Sequence, residues 1–98
     1  MNYNFFVYIL TNAHCQVLYT GVTNDLSRRM FEHKDDSLNE KKGFTGKYNC
    51  VYLVFWERFQ YAEHAIAREK QIKGWTRKKK LELIRSFNPE FKFLNDEL

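Results

Sequence analysis

The stretch Phe5-Phe6-Val7-Tyr8-Ile9-Leu10 is rich in β-branched and aromatic residues, which predicts a strand buried on both faces. A second stretch of this kind, Val17-Leu18-Tyr19-Thr20-Gly21-Val22, follows after a turn at residues 12–14. Because the connection is short, the two strands should pair antiparallel as a hairpin. Glycine weakens a strand interior, so Gly21 suggests that another backbone or a ligand approaches closely there.

A helix, a loop and a third strand are predicted next. Thr23 or Asn24 can cap a helix that runs to about residue 34. Residues 35–49 are polar and contain two glycines, which is typical of a long loop, and long loops in compact domains are often functional. Residues 51–57 predict the third strand. The loop carries three lysines that could face an anion: Lys41, Lys42 and Lys47.

Two helices and a tail complete the chain. A helix is predicted over residues 62–73 and is ended by Gly74, as a glycine just past a helix would end it. Thr76 can cap a last helix over residues 77–86, which stops at Asn88-Pro89. The remaining apolar residues are expected to fold back as a packing tail: Phe91, Phe93 and Leu94.

The predicted order, β-β-α-β-α-α, indicates an α+β fold with a small three-stranded antiparallel sheet flanked by helices. The chain has 98 residues, of which 44% are hydrophobic, and this supports one domain over 1–98 with a core of about 3–87 and a tail of about 88–98. No apolar run approaches the roughly 18 residues of a membrane span. The N-terminus lacks the pattern of a secretory signal, so a cytoplasmic location is expected.

Charge and cysteine usage leave a nucleic-acid partner open. The net charge of +4 is a mild excess that permits an anionic partner without requiring one. Cys15 and Cys50 lack the spacing of a metal site or redox pair, so both are expected to be reduced thiols. The charge is concentrated over residues 68–80, and Arg77-Lys78-Lys79-Lys80 opens the last helix. A solvated face is the simpler interpretation of that cluster, and contact with phosphate is the alternative.

The first predicted helix carries two charged residues on its apolar side. Leu26 and Met30 define that side, and Arg29 and His33 each follow one of them by three residues. Charged groups seldom occupy such positions without a partner or a chemical role. The alternative is that Arg29 extends from the edge of the apolar side and that His33 is a surface histidine with its hydrogen bonds satisfied.

Glu69 lies at the centre of the inner face of the second predicted helix. It is four residues after Ala65 and three before Ile72, and Ala62 and Ile66 mark the same face. A buried carboxylate is costly unless it is paired or binds a cation. An ion pair with Arg29 or with a lysine is the structural alternative to a metal site.

Taken singly, Tyr8 and Tyr19 are the weakest evidence for a functional site. Tyr8 and Tyr19 belong to neighbouring strands and could lie on one face of the sheet. A strand tyrosine is normally a half-buried packing residue with a bonded hydroxyl. Trp56 and Trp75 are similarly expected to belong to the core and not to stack on bases.

In their order and spacing, these segments resemble the GIY-YIG endonuclease domain. The resemblance is strongest to small bacterial stand-alone members and extends to the N-terminal domain of the excision-repair nuclease. It covers about residues 3–87. Its carriers are Val7-Tyr8-Ile9-Leu10, Leu18-Tyr19-Thr20-Gly21-Val22-Thr23-Asn24-Asp25-Leu26, Arg28-Arg29, Glu32-His33-Lys34, Ala67-Arg68-Glu69-Lys70-Gln71-Ile72-Lys73-Gly74-Trp75, Arg77 and Lys79-Lys80.

The resemblance implies a role for each candidate site residue. Tyr8 and Tyr19 match the two motif tyrosines, one of which helps to activate the water nucleophile. Arg29 matches the arginine that contacts the scissile phosphate, and His33 matches a position that carries His or Tyr. Glu69 matches the single carboxylate that holds a divalent metal, Mg²⁺ or Mn²⁺. Whether Tyr8 or His33 is the general base stays open, and the two could share the proton.

Three positions depart from the family pattern. Phe6 stands where glycine is common, Thr20 replaces isoleucine, and Val22 stands where many members carry a lysine. Lys47 or another loop lysine could supply the missing cation. All five candidate site residues are present, which predicts a competent site. The residues expected to contact nucleic acid are Lys47, Lys73, Arg77, Lys78 and Lys79.

The resulting functional prediction is a divalent-metal-dependent endonuclease that hydrolyses phosphodiester bonds in DNA, with RNA not excluded. Repair or recombination is the expected setting, and a protein partner could supply specificity. Two alternatives stay open. One is a nucleic-acid-binding module without turnover, and the other is a structural or interaction domain with a vestigial site, which an internal ion pair at Glu69 would favour.

Overall fold

A computed structural model describes residues 4–40 and 43–98 of the chain. Tyr3, Lys41 and Lys42 lie outside the described residues. Three strands form one antiparallel sheet in the order β2-β1-β3: β1 (Phe5–Thr11), β2 (Leu18–Thr23) and β3 (Tyr52–Phe59). The four α-helices are α1 (Leu26–Asp35), α2 (Gly43–Tyr48), α3 (Ala62–Lys73) and α4 (Arg77–Phe87). The predicted α+β fold is thus confirmed.

The central strand β1 is buried on both faces, as its sequence predicts. Val7 and Ile9 pack on one side of the sheet, against residues of β3, α3 and α4. Tyr8 and Leu10 pack on the other side, against Leu26 and Met30 of α1 and against further residues of β3 and the C-terminal segment. Since side chains alternate along a strand, β1 contributes to two apolar clusters at once.

The predicted helix caps are partly correct. Thr76 caps α4, where its side chain accepts a hydrogen bond from the Lys79 backbone N–H. At α1, however, the prediction of Thr23 or Asn24 is wrong, because the cap is Asp25, whose carboxylate accepts from the backbone N–H of Arg28 at 3.1 Å. Thr23 assists from outside the helix by accepting a hydrogen bond from the Asp25 N–H.

The loop predicted over residues 35–49 is largely helical instead. A π-helical segment, Asp36–Glu40, continues from α1, and α2 follows. Contacts distant in sequence stabilise these short elements: Ser37 donates to Asn49, and Thr45 is buried against His33. A local sequence pattern does not contain this information, which is why polarity and glycine content pointed to a loop.

Two details of α3 also differ from prediction. Gly74 has φ −80°, so the helix does not end with a left-handed glycine. Ile66 is exposed, while Ala65 and Ile72 form the buried face as predicted. An end without a left-handed residue suits this position because Thr76 caps the next helix two residues later.

The C-terminal tail packs along β3. Leu94 is buried, and its N–H donates to the Leu53 carbonyl at 2.7 Å. The Phe93 ring stacks on Tyr52 at a centroid distance of 4.3 Å. Buried Asn88 ties the tail to the strand by donating to the carbonyls of Val54 and Lys92. Within residues 4–40 and 43–98, the structure has no helix that is both long and apolar enough to cross a membrane.

Candidate active site

A buried chain of hydrogen bonds lies between β1, α1 and α2. The Tyr8 hydroxyl is 2.8 Å from His33 Nε2, and His33 Nδ1 is 2.8 Å from the Thr45 hydroxyl. Tyr8 and His33 are each 1% exposed, and Thr45 is 5% exposed. The alternative of a surface histidine is therefore wrong: His33 is a buried group whose ring nitrogens both face partners inside the protein.

Burial keeps both ends of the Tyr8–His33 pair neutral. It lowers the pKa of His33 to about 4, and the positive charge of Arg29 adds to the effect. Burial also raises the pKa of Tyr8 to about 12, supported by Tyr19, while a hydrogen bond from Arg29 opposes the rise. At neutral pH the site therefore holds a neutral phenol bonded to a neutral imidazole.

Arg29 places a positive charge at the edge of this buried pair. It extends from α1 with its side chain 35% exposed and forms an ion pair with Glu32 at 3.3 Å. Although burial disfavours the charge, the Tyr8 hydroxyl and Glu32 raise the pKa of Arg29 overall. The guanidinium is thus charged, half-buried and able to turn towards solvent, as a phosphate contact would require.

Tyr19 connects the site to an aromatic surface. Its ring centroid lies 6.4 Å from that of Tyr8 and 5.7 Å from that of His33, so the two tyrosines share one face of the sheet as predicted. Phe44 stacks on the outer side of Tyr19 at 5.8 Å, and Tyr48 follows at 4.7 Å from Phe44. Both outer rings are more than 40% exposed.

A cleft of about 240 Å³ opens beside the pair. It is lined by residues from β2, α1, the π-helical segment and α2: Tyr19, Arg29, His33, Asp36, Gly43, Phe44 and Thr45. Three of its lining residues carry polar or aromatic groups that sequence reasoning missed, namely Asp36, Phe44 and Thr45. The sequence did not point to these residues because they belong to residues 35–49, which were predicted to be a loop and show no helix face on which a polar residue would be out of place.

Glu69 does not line the cleft and is linked to the site through its ion-pair partner Lys73. Its side chain is 13% exposed and pairs with Lys73 Nζ at 3.3 Å, and Lys73 Nζ is 6.0 Å from the centre of the Tyr19 ring. The predicted alternative of an ion pair with a lysine is thus observed. Because Lys73 is 52% exposed, the pair contributes little to stability and leaves the carboxylate free to exchange partners.

The Glu69 carboxylate suits a hard divalent cation better than a metal ion that is coordinated by several protein ligands. Across the parts of the chain that the structure describes, no three His, Cys, Asp or Glu side chains cluster as a metal site would require. Zinc normally takes three or four protein ligands, whereas Mg²⁺ keeps most of its waters and accepts one or two carboxylates. A single carboxylate without further protein ligands therefore fits Mg²⁺ or Mn²⁺ better than zinc.

The predicted nucleic-acid contacts are dispersed over several elements. Lys47 lies over Tyr48 at 5.4 Å from the ring centre, next to the aromatic surface. Lys78 is exposed, and Lys79 lies 4.4 Å from the ring centre of half-buried Trp75. The Arg77 guanidinium donates to two carbonyls of the β1–β2 turn. The α4 residues do not line the cleft, so any contact they make is with a more distant part of a substrate.

Gly21 is crowded by a side chain and not by a backbone or a ligand. It pairs with Tyr8 across the hairpin, and a Cβ at Gly21 would lie 2.4 Å from the Tyr8 hydroxyl. The expectation of a close approach was correct, but the approaching group is the Tyr8 ring. Cys15 and Cys50 are both free, as expected.

Proteins of similar sequence are known from other organisms. The chain is 39% identical over 83 residues to a UPF0213 protein from Haloquadratum walsbyi, which covers 85% of this chain and 89% of the relative. It is 37% identical over 82 residues to a UPF0213 protein from Staphylococcus aureus, covering 82% and 93% of the two chains.

A solved structure shares the architecture. The solution NMR structure of a UPF0213 protein from Bacillus halodurans has a TM-score of 0.55 and 28% identity, and the match covers 90% of this chain and 89% of that one. The GIY-YIG catalytic domain model matches residues 4–82, a span that includes Tyr8, Tyr19, Arg29, His33 and Glu69. The chain therefore belongs to the GIY-YIG catalytic domain family, a family of nucleases.

Proposed function

We propose that this protein is a divalent-metal-dependent endonuclease that hydrolyses phosphodiester bonds in DNA. The observation that carries the proposal is the buried Tyr8–His33 pair with charged Arg29 at its edge, beside an open cleft. Family membership supports nuclease chemistry. Buried groups with strongly shifted pKa values in a cleft are typical of catalytic sites.

Water activation falls to Tyr8 and His33 together. A phenol with a pKa of about 12 is almost never ionised at neutral pH, so Tyr8 alone is a rarely available base. The 2.8 Å bond to His33 Nε2 offers a route for the Tyr8 proton, so the hydroxyl can accept a proton from water as it releases its own. The pair thus acts as one proton acceptor.

Arg29 stabilises the negative charge that gathers on the phosphoryl oxygens. A guanidinium offers two parallel N–H donors, which match two phosphate oxygens. A phosphate in the cleft would draw Arg29 away from Glu32 and the Tyr8 hydroxyl and thereby expose that hydroxyl to water. The divalent cation held by Glu69 would supply positive charge for the leaving oxygen.

Charged and aromatic groups around the cleft favour a nucleic-acid substrate. Lys47 and Lys73 border Tyr48 and Tyr19, where they can neutralise backbone phosphates. Lys78, Lys79 and Arg77 are proposed to contact the substrate further out. As the sequence predicts, we propose that the protein acts in DNA repair or recombination in the cytoplasm. We also propose that a protein partner directs its specificity.

Cleavage of labelled DNA and RNA structures with Mg²⁺, Mn²⁺ or EDTA tests the proposal directly. Parent protein should give metal-dependent products from DNA, and Glu69→Ala should give none while retaining its fold and nucleic-acid binding. Glu63→Ala is the matched control, because Glu63 is an exposed carboxylate on the same helix. Cleavage by Glu69→Ala at the parent rate would eliminate the metal-ligand role.

Arg29→Ala should reduce turnover by about 100-fold or more, in line with the loss of one transition-state donor. Arg28→Ala is the control, since Arg28 is exposed and bonds to Asn24 at the start of the same helix. Single-turnover rates and binding constants separate the effects. A loss confined to binding would make Arg29 a positioning contact for the substrate.

The ion pair between Glu69 and Lys73 favours the alternative of a vestigial site, and a chain with such a site that still binds nucleic acid would be a binding module without turnover. In this case Lys73 would be the permanent partner of Glu69. The two candidates differ in one result: the module binds nucleic acid but yields no metal-dependent products on any substrate. Salt dependence of binding does not discriminate, because both lose affinity as salt rises.

A further inference from the structure

Thr45 is buried beside the catalytic pair although it belongs to a short helix in a polar segment. Its hydroxyl lies 2.8 Å from His33 Nδ1, and both side chains are nearly inaccessible to solvent. Gly46, the next residue, is also buried. The geometry therefore brings α2 against α1 at the point where a hydroxyl meets the histidine ring.

Hydrogen-bond accounting at Tyr8 determines which histidine nitrogen carries the proton. The Tyr8 hydroxyl keeps its own proton at neutral pH, because burial raises its pKa to about 12. That proton is buried and needs an acceptor, since an unsatisfied buried donor is costly. The acceptor in reach is His33 Nε2, at 2.8 Å.

The opposite arrangement leaves the stronger donor unsatisfied. If Nε2 carried the proton, the Thr45 hydroxyl would donate to Nδ1 and the Tyr8 proton would lose its acceptor. In the favoured arrangement it is the Thr45 proton that needs another acceptor, and an alcohol O–H is a weaker donor than a phenol O–H. Neutral imidazole has one N–H and one bare nitrogen. An acceptor at Nε2 therefore requires a proton on Nδ1, which then donates to the Thr45 oxygen.

We infer that Thr45 is a positioning residue: its hydroxyl oxygen accepts the Nδ1–H of His33 and so keeps Nε2 unprotonated and directed at Tyr8. The tautomer follows from the two hydrogen-bond distances and from the greater donor strength of the phenol, and its catalytic consequence rests on the proposed function. This assignment adds a residue to the site and gives the two members of the pair distinct tasks.

The proton movements balance in this arrangement. As the water oxygen bonds to phosphorus, the P–O bond to the leaving oxygen breaks and the leaving alkoxide takes up a proton from solvent. The water O–H bond breaks in the same step: its proton passes to the Tyr8 oxygen, while the original Tyr8 proton passes to Nε2. The histidine ring becomes an imidazolium with a proton on each nitrogen. Thr45 accepts from Nδ1–H before and after this step, so the ring need not rotate, and the imidazolium is stabilised by a bond already in place.

The state of His33 can be measured directly on the ¹⁵N-labelled parent protein. Long-range ¹H–¹⁵N correlation spectra distinguish a protonated from a bare ring nitrogen, and we expect Nδ1 protonated and Nε2 bare. The other two histidines, His14 and His64, are exposed, so His14→Gln and His64→Gln identify the His33 signals. A protonated Nε2 in the neutral parent would overturn the inference, whether or not the protein cleaves DNA.

Substitutions then test whether Thr45 sets this state. Thr45→Val keeps the shape but removes the oxygen, so the Nδ1–H form should decline and cleavage should fall by about 10-fold or more, within the range of acid–base contributions. Thr45→Ser should restore both. An unchanged tautomer and rate in Thr45→Val, or no recovery in Thr45→Ser, would show that Thr45 has only a packing role.

Thr11→Val is the matched control. Thr11 is fully buried and its hydroxyl donates to the Val17 carbonyl, so this variant loses a buried threonine hydrogen bond away from His33. It should destabilise the fold without changing the His33 signals. If Thr11→Val shifted the tautomer as Thr45→Val does, the effect would be general destabilisation and the inference would fail. If Thr45→Val does not fold, the parent spectrum still decides.

Discussion

The position of Tyr8 depends on Gly21, a residue without a side chain on the neighbouring strand. Tyr8 and Gly21 are opposite each other in the β1–β2 pairing, and the Tyr8 ring lies over the Gly21 backbone. In that position the hydroxyl reaches His33. Any residue larger than glycine would occupy the space of the ring, so a glycine at position 21 is a packing requirement of Tyr8.

Gly21→Ala should therefore displace Tyr8 and break its bond to His33. The added Cβ would lie 2.4 Å from the Tyr8 oxygen and 2.5 Å from Cζ, which the ring can relieve only by moving. We expect a loss of about 1–3 kcal/mol in the free energy of unfolding, as for other overpacked cores, together with a large loss of cleavage. Urea unfolding and single-turnover cleavage measure the two effects.

Gly74→Ala is the matched control for Gly21→Ala. A Cβ at Gly74 would lie 3.6 Å from the nearest backbone oxygen, an ordinary contact, and the residue has a right-handed helical conformation. Stability and cleavage should stay close to the parent values. If Gly21→Ala behaved like Gly74→Ala, the Tyr8 ring would have an alternative position that leaves the site intact.

Single residues were predictable where periodicity revealed a conflict. Arg29, His33 and Glu69 became candidates because charge fell on apolar helix faces. Tyr8 and Tyr19 became candidates because they belong to neighbouring strands and could share one face of the sheet. Thr45 could not be found this way. A threonine in a polar segment creates no conflict, and its role follows only from the approach of α2 to α1.

At the scale of elements, hydrogen bonds from one side chain join the start of α4 to the β1–β2 turn. Arg77 Nη1 donates to the Gln16 carbonyl and Nη2 donates to the Cys15 carbonyl, each at 2.8 Å. Cys15 has φ +56°, a left-handed conformation that is strained for a non-glycine residue. The guanidinium therefore holds the β1–β2 turn against the start of α4, which gives Arg77 a structural task besides any contact with substrate.

Arg77→Ala should destabilise the protein by about 1–2 kcal/mol, because two hydrogen bonds from a charged donor are lost at a partly solvated site. Lys78→Ala should be nearly neutral in stability, since Lys78 is exposed and bonds to none of the described residues. If Lys78 contacts phosphate, its variant should instead weaken nucleic-acid binding and reduce its salt dependence. Equal stability of the two variants would show that the turn does not need the guanidinium.

Elements with a strong internal pattern were predicted nearly to the residue. The helix expected over residues 62–73 is α3, and the three strands differ from prediction by one or two residues at their ends. Residues 36–48 were not predicted because their helices are short and depend on partners elsewhere, such as Asn49 for Ser37 and His33 for Thr45. Isolated helices of this length are unstable in water.

On the scale of the whole molecule, the buried pair connects stability to pH. The folded protein keeps His33 neutral with a pKa of about 4, below its ordinary value of 6.5. Between these values the unfolded chain binds a proton that the folded chain does not, so the free energy of unfolding falls as pH decreases. Tyr8, with a pKa raised from 10.0 to about 12, has the opposite effect and reduces stability above about pH 10.

The pH range below 6.5, in which His33 acts, provides a sharper experiment than the alkaline range in which Tyr8 acts. From its pKa shift, His33 can change the free energy of unfolding by at most roughly 3 kcal/mol as the pH falls. The portion of this change that occurs above about pH 5 comes before most carboxylates titrate. Urea unfolding at pH 7.5, 6.5 and 5.5 should show a progressive loss of stability in the parent. His33→Gln should flatten this dependence, and the exposed control His64→Gln should retain it. An equal slope in the parent and in His33→Gln would mean that His33 is solvated and titrates normally, and the neutral buried pair would have to be abandoned.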